Sequence, residues 1–336
     1  MAWETAAIYV GAVVGAGFAS GREIFVFFVR SGGRPLTAVA AGLCLGAAAA
    51  LALPIAFESG CANYSDFCNY LTRRAGKAVE ALLSLFLFAG LAVMLAAGAT
   101  LIALYSSFDY TAGVLAMAAL TAIVVSFGPR GLAAVNRWLV PYLVVVVLAV
   151  TASTLSRGPD TAALLNSPPA GVRCLWSLML YIGYNFITGM AVLVSLPPVA
   201  PRQRSAGALV AGVVLALMLG LAATALARHA PAISETPLPL LTLAREAGQG
   251  IATAYLPALA VAIVTTAIAD AYALVQRLAP ARPGLAGAAV AGLAIPIANQ
   301  GFVTLVDRAY PLLGAAGLAF LALTFWRIVR PKPSAG

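Results

Sequence analysis

Charge is what this sequence has least of. Charged residues make up 9% of its 336 residues, against about 25% in a soluble globular protein. So few charges cannot cover a water-facing surface, which excludes an ordinary soluble fold. Histidine occurs once, as His229, and none of the four cysteines (Cys44, Cys61, Cys68, Cys174) forms a CxxC pair. That pattern offers no metal cluster and reads as small buried or loop residues. No GxxxxGK[ST] motif is present, so primary ATP-driven transport within this chain is not expected. No segments of about ten residues alternate apolar with polar, as a porin-type barrel requires. The opening Met1-Ala2-Trp3-Glu4 carries no basic region, and its apolar stretch runs past any cleavage site. A cleavable signal is therefore not expected.

Apolar residues fill the space: 62% of the chain is hydrophobic, and the mean hydropathy is +0.98. They fall in long runs such as Pro35 to Phe57, Ala206 to Ala227, and Gly131 to Leu155, broken only by Arg137. Each reaches or approaches the ~20 residues that a membrane-spanning helix needs. The net charge of +9 is scattered between these runs without a basic stripe, so it reads as positive loops and not as a nucleic-acid surface.

Breaks at charges, prolines and glycines divide the chain into about ten candidate spans. They lie near residues 5–29, 35–57, 76–105, 111–127, 133–155, 174–196, 206–227, 251–276, 284–303 and 309–328. The longest hydrophilic connections are Glu58 to Arg74, Ser156 to Val172 and Arg228 to Gly250, and no soluble domain fits in any of them. The expectation is a single transmembrane domain over 1–336. Ten spans put both termini on one side, which collects twelve Lys and Arg residues, among them Arg73, Arg74, Arg130, Arg330 and Lys332, against eight on the other. The bias places both termini in the cytoplasm of a prokaryotic inner membrane.

Weak internal symmetry runs through these spans. Tyr9-Val10-Gly11 recurs as Tyr181-Ile182-Gly183 and Gly17 as Gly189, at an offset of 172. Gly131, Asn136-Arg137 and Pro141 recur as Gly301, Asp307-Arg308 and Pro311, at offsets of 170 to 171. Span one thus resembles span six, and span five resembles span ten. Five spans per half force the second copy to enter the membrane upside down, the inverted repeat of secondary transporters. Repeat one would cover about 5–155 and repeat two about 174–328. Chance similarity among Gly-rich spans is the alternative.

Span one is the least ordinary. Between Tyr9 and Ile24 it holds Gly11, Gly15, Gly17 and Gly21 together with Ser20, Arg22 and Glu23. Each helical glycine costs about 1 kcal/mol relative to alanine, and a charge at the bilayer centre at least ~2.5 kcal/mol. A break in the helix relieves both, because unwound carbonyls can bind a cation and the next half-helix points free N–H groups at an anion. The other reading ends the span at Ser20, with Arg22 and Glu23 at the interface and the glycines used for helix packing.

The run Gly11-Ala-Val-Val-Gly15-Ala-Gly17, followed by Arg22 and by Ser31-Gly32-Gly33, resembles the first span of LeuT-type transporters of the amino acid–polyamine–organocation superfamily. More closely, GAVVGAGFASGREI with a following Phe-Phe pair looks like the YkvI family of candidate permeases. The close likeness covers about 30 residues, and the ten-span layout extends it loosely over the chain. It implies an all-α LeuT-like fold, a five-plus-five inverted repeat with broken helices one and six. It implies that carbonyls of Gly11 and Val14 hold a Na⁺, completed from span eight by the Ala262 carbonyl and the hydroxyls of Thr265 and Thr266. Adjacent threonines can instead bond back to the preceding turn. The resemblance gives the amides of Ala16 and Gly17 to a substrate carboxylate. Phe18 stands where a second sodium site uses Asn, so at most one sodium per cycle is implied.

Asp270 lies four residues after Thr266 and on one helical face with it. An acid inside the membrane is a functional candidate by default: a proton carrier, a cation ligand, or a partner for Arg22. A static ion pair is the plainer alternative. Span six supplies a facing wall of Tyr181, Gly183, Tyr184, Asn185, Phe186, Thr188 and Gly189, and symmetry puts its break between Gly183 and Gly189. The candidate substrate site is Ala16, Gly17, Ser20, Tyr184, Asn185 and Thr188; Asp270, Arg22 and Glu23 are the coupling or gating candidates.

The function expected is a symporter of an amino acid or similar small zwitterion, driven by Na⁺ or H⁺. It would rock spans one, two, six and seven against the rest. No cofactor beyond that Na⁺, no nucleic acid and no enzymatic activity is expected, since one histidine and scattered acids form no catalytic constellation. Its partners would be the bilayer and a small solute. A channel, or the same fold with a non-amino-acid solute, is the alternative.

Overall fold

The computed structural model describes residues 2–59, 61, 64–72, 76–128, 132–157, 171–194, 201–279 and 281–329. Every regular element among them is helical. In hydrocarbon each backbone N–H and C=O needs an internal partner, and a helix supplies them all. The first segment is in pieces: α1 (Ala2–Val13), α2 (Ala16–Ser20), α3 (Arg22–Ile24) and a π-helical turn Phe25–Val29. There follow α4 (Pro35–Glu58), α5 (Tyr64–Thr72), α6 (Gly76–Tyr105), α7 (Tyr110–Ser126) and α8 (Leu132–Arg157). Then come α9 (Val172–Leu193), α10 (Pro201–Arg228), α11 (Ala230–Ile233), α12 (Pro239–Ala247), α13 (Gln249–Leu278), α14 (Pro283–Ala298) and α15 (Phe302–Val329).

Seven of these, α4, α6, α8, α9, α10, α13 and α15, are long and apolar enough to cross a membrane. The chain is an integral membrane protein. The ten comparable spans expected from the apolar runs are therefore unequal. Two of them, α7 and α14, have 17 and 16 residues, about 25 Å of helix at ~1.5 Å per residue, short of a hydrocarbon core of ~30 Å. The first is interrupted. Large apolar side chains such as Trp138, Val145, Leu293 and Leu312 stand exposed on the outside, as lipid-facing residues do.

Local chemistry sets the helix ends. Pro35 and Pro283 open α4 and α14, where the missing N–H costs nothing. Asp109 caps α7, its side chain accepting from the Ala112 amide at 2.9 Å. Small residues then bring helices together where no hydrophobic force drives association. A Cβ on Gly46 of α4 would come within 2.6 Å of the Gly212 Cα of α10, so these backbones touch.

Helix six requires a correction. The break expected between Gly183 and Gly189 is absent: α9 runs unbroken from Val172 to Leu193. Its glycines serve packing instead. A side chain at Gly183 would strike the backbone of Gly314 and Gly317 in α15, and one at Gly189 would strike the Tyr9 ring of α1. The repeated glycines are thus helical in both spans, Gly11 and Gly17 in α1 and α2 and Gly183 and Gly189 in α9, and the breaks of span one fall at positions outside the repeat. Gly131 of the repeat, and Arg73, Arg74, Arg130, Arg330 and Lys332 of the charge bias, lie outside the described residues.

Candidate functional site

Span one is broken twice. After α1 the chain unwinds at Val14 and Gly15, where Gly15 is extended at φ −89°, ψ −165°. The alternative in which the span simply ends at Ser20 is set aside, because the chain goes on through α3 and the π-helical turn with Arg22 and Glu23 buried. The second break is Gly21, at φ +79°, a left-handed conformation that favours glycine. Space demands it too, since a Cβ there would lie 2.8 Å from the Leu240 amide nitrogen of α12. Three tyrosines pin the pieces: Tyr9 donates to the Leu45 carbonyl at 3.0 Å, Tyr255 donates to the Ala19 carbonyl, and Tyr181 packs edge-on to Phe27 and Phe28.

The unwound segment faces a cavity of about 370 Å³. Its walls come from α1, α2, α3, α6, α8, α9, α13 and α15. Twelve of the fourteen residues singled out in the sequence line it: Gly11, Val14, Ala16, Gly17, Glu23, Tyr184, Asn185, Thr188, Ala262, Thr265, Thr266 and Asp270. A Cβ built on Gly15 would sit 3.9 Å from Thr266 Oγ1, which brings α13 alongside the break. Thr265 does bond back, donating to the Ala262 carbonyl at 3.2 Å. Inside α13 that carbonyl also accepts from the Thr266 amide one turn on. The Thr266 hydroxyl has no hydrogen-bond partner among the described residues.

The remaining two residues lie elsewhere. Ser20 is not in the cavity: its hydroxyl donates to the Gly17 carbonyl at 2.7 Å and accepts from the Arg22 amide at 3.1 Å. It braces the turn at Gly21, as serines commonly do at such turns. Arg22 does not meet Asp270. Its guanidinium donates to the Ser234 carbonyl at 2.8 Å and to Asp307 at 3.2 Å, and Arg30 pairs with the same carboxylate. These contacts tie the far end of the broken span to the connection before α12 and to α15. Among the span-six candidates, Tyr181, Gly183, Phe186 and Gly189 are buried outside the cavity lining.

Both carboxylates of the cavity sit in glycine notches. A Cβ on Gly90 of α6 would come 2.6 Å from Asp270 Oδ2, and one on Gly17 would collide with Glu23 Oε2 and lie 2.9 Å from the Tyr310 hydroxyl. Glu23 accepts from Asn185 Nδ2 at 3.2 Å. Asp270, half-buried, has neither a hydrogen bond nor an ion pair among the described residues. Tyr184 is stacked between Phe86 and Tyr310, with ring centroids 5.4 and 4.7 Å away.

Gly90, Phe86 and Tyr310 have no place in the sequence reading, and Asn136 and Asp307 enter it only as members of the repeat. Asp307, Tyr310, Gly314 and Gly317 do form a polar and small-residue stripe at helical spacing along α15. That stripe was a signal. Phe86 and Gly90 carry none, being apolar residues within an apolar helix.

No protein-family model matches the chain. It is similar to the uncharacterized membrane protein YkvI of Bacillus subtilis (strain 168), at 27% identity over 326 residues, covering 95% of this chain and 93% of the relative. It is also similar to the uncharacterized protein YyaD of the same organism, at 24% identity over 327 residues, covering 94% and 93%. Among solved structures, the fold is similar to that of the Eremococcus coleocola manganese transporter, crystallised in complex with an aromatic bis-isothiourea substituted compound. The TM-score is 0.56 and the identity 16%, with 96% of this chain and 76% of the other covered. The likeness is one of fold.

Proposed function

We propose that the chain is a secondary transporter of an amino acid or similar small zwitterion, driven by Na⁺ or H⁺ through alternating access. The observation that carries this is the cavity of about 370 Å³, large enough for a small solute and lined by the unwound Val14–Gly15 segment. Ala16 and Gly17 there begin a helix, and the first N–H groups of any helix have no partner within it; they suit a carboxylate. Glu23, Asn185, Thr188 and the Tyr184–Tyr310 stack suit an ammonium group and its side chain. The oxygens of Gly11, Val14, Ala262, Thr265 and Thr266 suit a weakly held Na⁺. Asp270 suits a proton, and Arg22 with Asp307 suits a gate over the broken span. In this reading the ten segments form two inverted halves, 5–155 and 174–328, in an inner membrane with both termini in the cytoplasm.

The fold shared with a manganese transporter favours a second reading, in which the solute is a metal ion. Among the described residues no three His, Cys, Asp or Glu side chains group to hold one. Uptake into proteoliposomes separates the readings. Labelled amino acids and Mn²⁺ are offered with an inward Na⁺ gradient, an inward H⁺ gradient, or neither. The expected result is amino-acid accumulation that requires one gradient. Loss in Thr266→Ala assigns coupling to Na⁺, and loss in Asp270→Asn assigns it to H⁺. Accumulation of Mn²⁺ alone overturns the amino-acid reading.

A further inference from the structure

Two lipid-facing helices are too short for the bilayer, and they stand side by side. Helices α7 and α14 have 17 and 16 residues, about 25 Å along the axis and about 5 Å less than a typical hydrocarbon core. Any tilt shortens their reach further. They run antiparallel with both ends level. A Cβ on Gly284, at the start of α14, would sit 3.5 Å from the Ser126 Cβ at the end of α7, and one on Gly287 would sit 3.0 Å from Val125 Cγ1. At the opposite ends the Tyr110 hydroxyl donates to the Ala298 carbonyl at 2.9 Å. A stagger would let each helix cover what the other lacks. Level ends put both deficits at the same two depths.

The outward face of the pair is apolar: Leu115, Leu120 and Ile123 of α7 and Leu285 and Leu293 of α14 stand exposed. Polar groups fix where this apolar strip stops. Asp109 caps α7, and Asn299 and Gln300, both exposed, follow α14 at that same end. Their side chains are too short to reach a distant headgroup layer as a lysine or arginine does. At the other end Arg282, just before α14, can reach out, but the exposed Ser126 of α7 cannot. Elsewhere the apolar surface is taller. The stretch Gln203–Arg228 of α10 has 26 residues, about 39 Å of helix, and Leu209, Val213 and Leu217 stand exposed along it. A bilayer meets a short apolar surface by thinning, at a cost for each ångström of mismatch. Lipids whose chains are already short meet it at less cost. We propose that α7 and α14 form a lipid-sorting face, which thins the bilayer locally and selects phospholipids with short acyl chains. The face borders a cavity wall: a Cβ on Gly113 of α7 would lie 2.9 Å from the Ala99 Cα of α6, the helix that carries Phe86 and Gly90. Nothing in this inference depends on the cargo.

Tryptophan fluorescence in reconstituted vesicles tests this. The four native tryptophans, Trp3, Trp138, Trp176 and Trp326, are all exposed and are replaced by Phe in the full-length chain. One reporter is then added, Leu293→Trp on α14 or Leu217→Trp on α10. Each protein is placed in dibromostearoyl phosphatidylcholine, which quenches a lipid-exposed indole. The quencher is diluted with dimyristoleoyl or with dierucoyl phosphatidylcholine, the short-chain and the long-chain lipid. At position 293 the short-chain lipid is expected to relieve quenching by about twofold more than the long-chain one. At position 217 that preference should vanish or reverse. Leu120→Trp on α7 repeats the measurement should Leu293→Trp fail to fold. The same chain-length preference at α14 and α10 overturns the proposal. So does an indole at 293 or 120 that the brominated lipid fails to quench, which would show the face covered by a second copy of the chain and not by lipid.

Discussion

At the scale of single residues, Asp307 is held by two guanidiniums of unequal need. Arg22 is buried and Arg30 is well exposed. Removing one partner of a buried ion pair costs about 3–5 kcal/mol when both are fully buried, and less here because Asp307 keeps 24% exposure. The two ends of the pair should therefore respond unequally. Asp307→Asn leaves the buried guanidinium its Ser234 carbonyl but no counter-charge, whereas Arg22→Gln leaves Asp307 its bond to Arg30. A thermal melt in detergent should show the larger drop for Asp307→Asn. Equal drops, or the reverse order, would mean the pair does not anchor the broken span.

Gly90 makes a second residue-scale prediction with opposite signs for stability and activity. Alanine in a helix is favoured over glycine by about 1 kcal/mol, so Gly90→Ala should melt no lower than the parent. Its methyl group would meet Asp270 Oδ2 and push the carboxylate out of its notch. Uptake should fall by about tenfold, the equivalent of ~1.4 kcal/mol. Normal uptake in this variant would show that the position of Asp270 is immaterial.

At the scale of elements, the contrast lies between a segment that breaks and one that does not. The first span breaks at Val14–Gly15 and again at Gly21, and only the second break is enforced sterically, by φ +79° and the Leu240 backbone. Left-handed backbone costs an ordinary L-residue roughly 1–2 kcal/mol, before any clash. Gly21→Ala should thus lower the melting temperature and slow uptake together. In α9 the glycine at 183 has another purpose, seating the helix on Gly314 and Gly317. Gly183→Leu should separate α9 from α15 and lose the monodisperse protein on size-exclusion chromatography, while Ile182→Leu beside it is tolerated. An equally monodisperse Gly183→Leu protein would contradict the close packing of these helices. The glycines of the two Tyr-x-Gly motifs are alike in outcome: Gly11 stays helical in α1 against the Val140 side chain, and Gly183 stays helical in α9 against the α15 backbone. What separates the spans is Gly15, which has no glycine counterpart at Ile187 and faces a cavity.

At the scale of the whole molecule, the proposed orientation is testable without any knowledge of the cargo. A green fluorescent protein fused after the last residue should fluoresce, and alkaline phosphatase fused there should be inactive, if both termini are cytoplasmic. Active phosphatase would invert the arrangement and exchange the two sides of the cavity. Direction of transport would then have to be read from the other face.

Much of this molecule was determined by the sequence alone. Nine per cent charge and 62% hydrophobic residues leave helices in a bilayer as the solution, because every backbone polar group must be satisfied within the chain. Glycines beside Arg22 and Glu23 marked the broken span for the same energetic reason, and twelve of fourteen candidate residues converge on one cavity. Three things were decided by tertiary structure. Arg22 took Asp307 and not Asp270, since which charges meet depends on how α3, α13 and α15 pack and not on how far apart they stand in the chain. Helix α9 stayed whole, since its glycines found backbone partners in α15. The cavity acquired Phe86, Gly90 and Tyr310, since a wall is made by whichever helix lies opposite. In a chain this apolar, composition decides that helices form. Only the close approach of one backbone to another decides which of them meet.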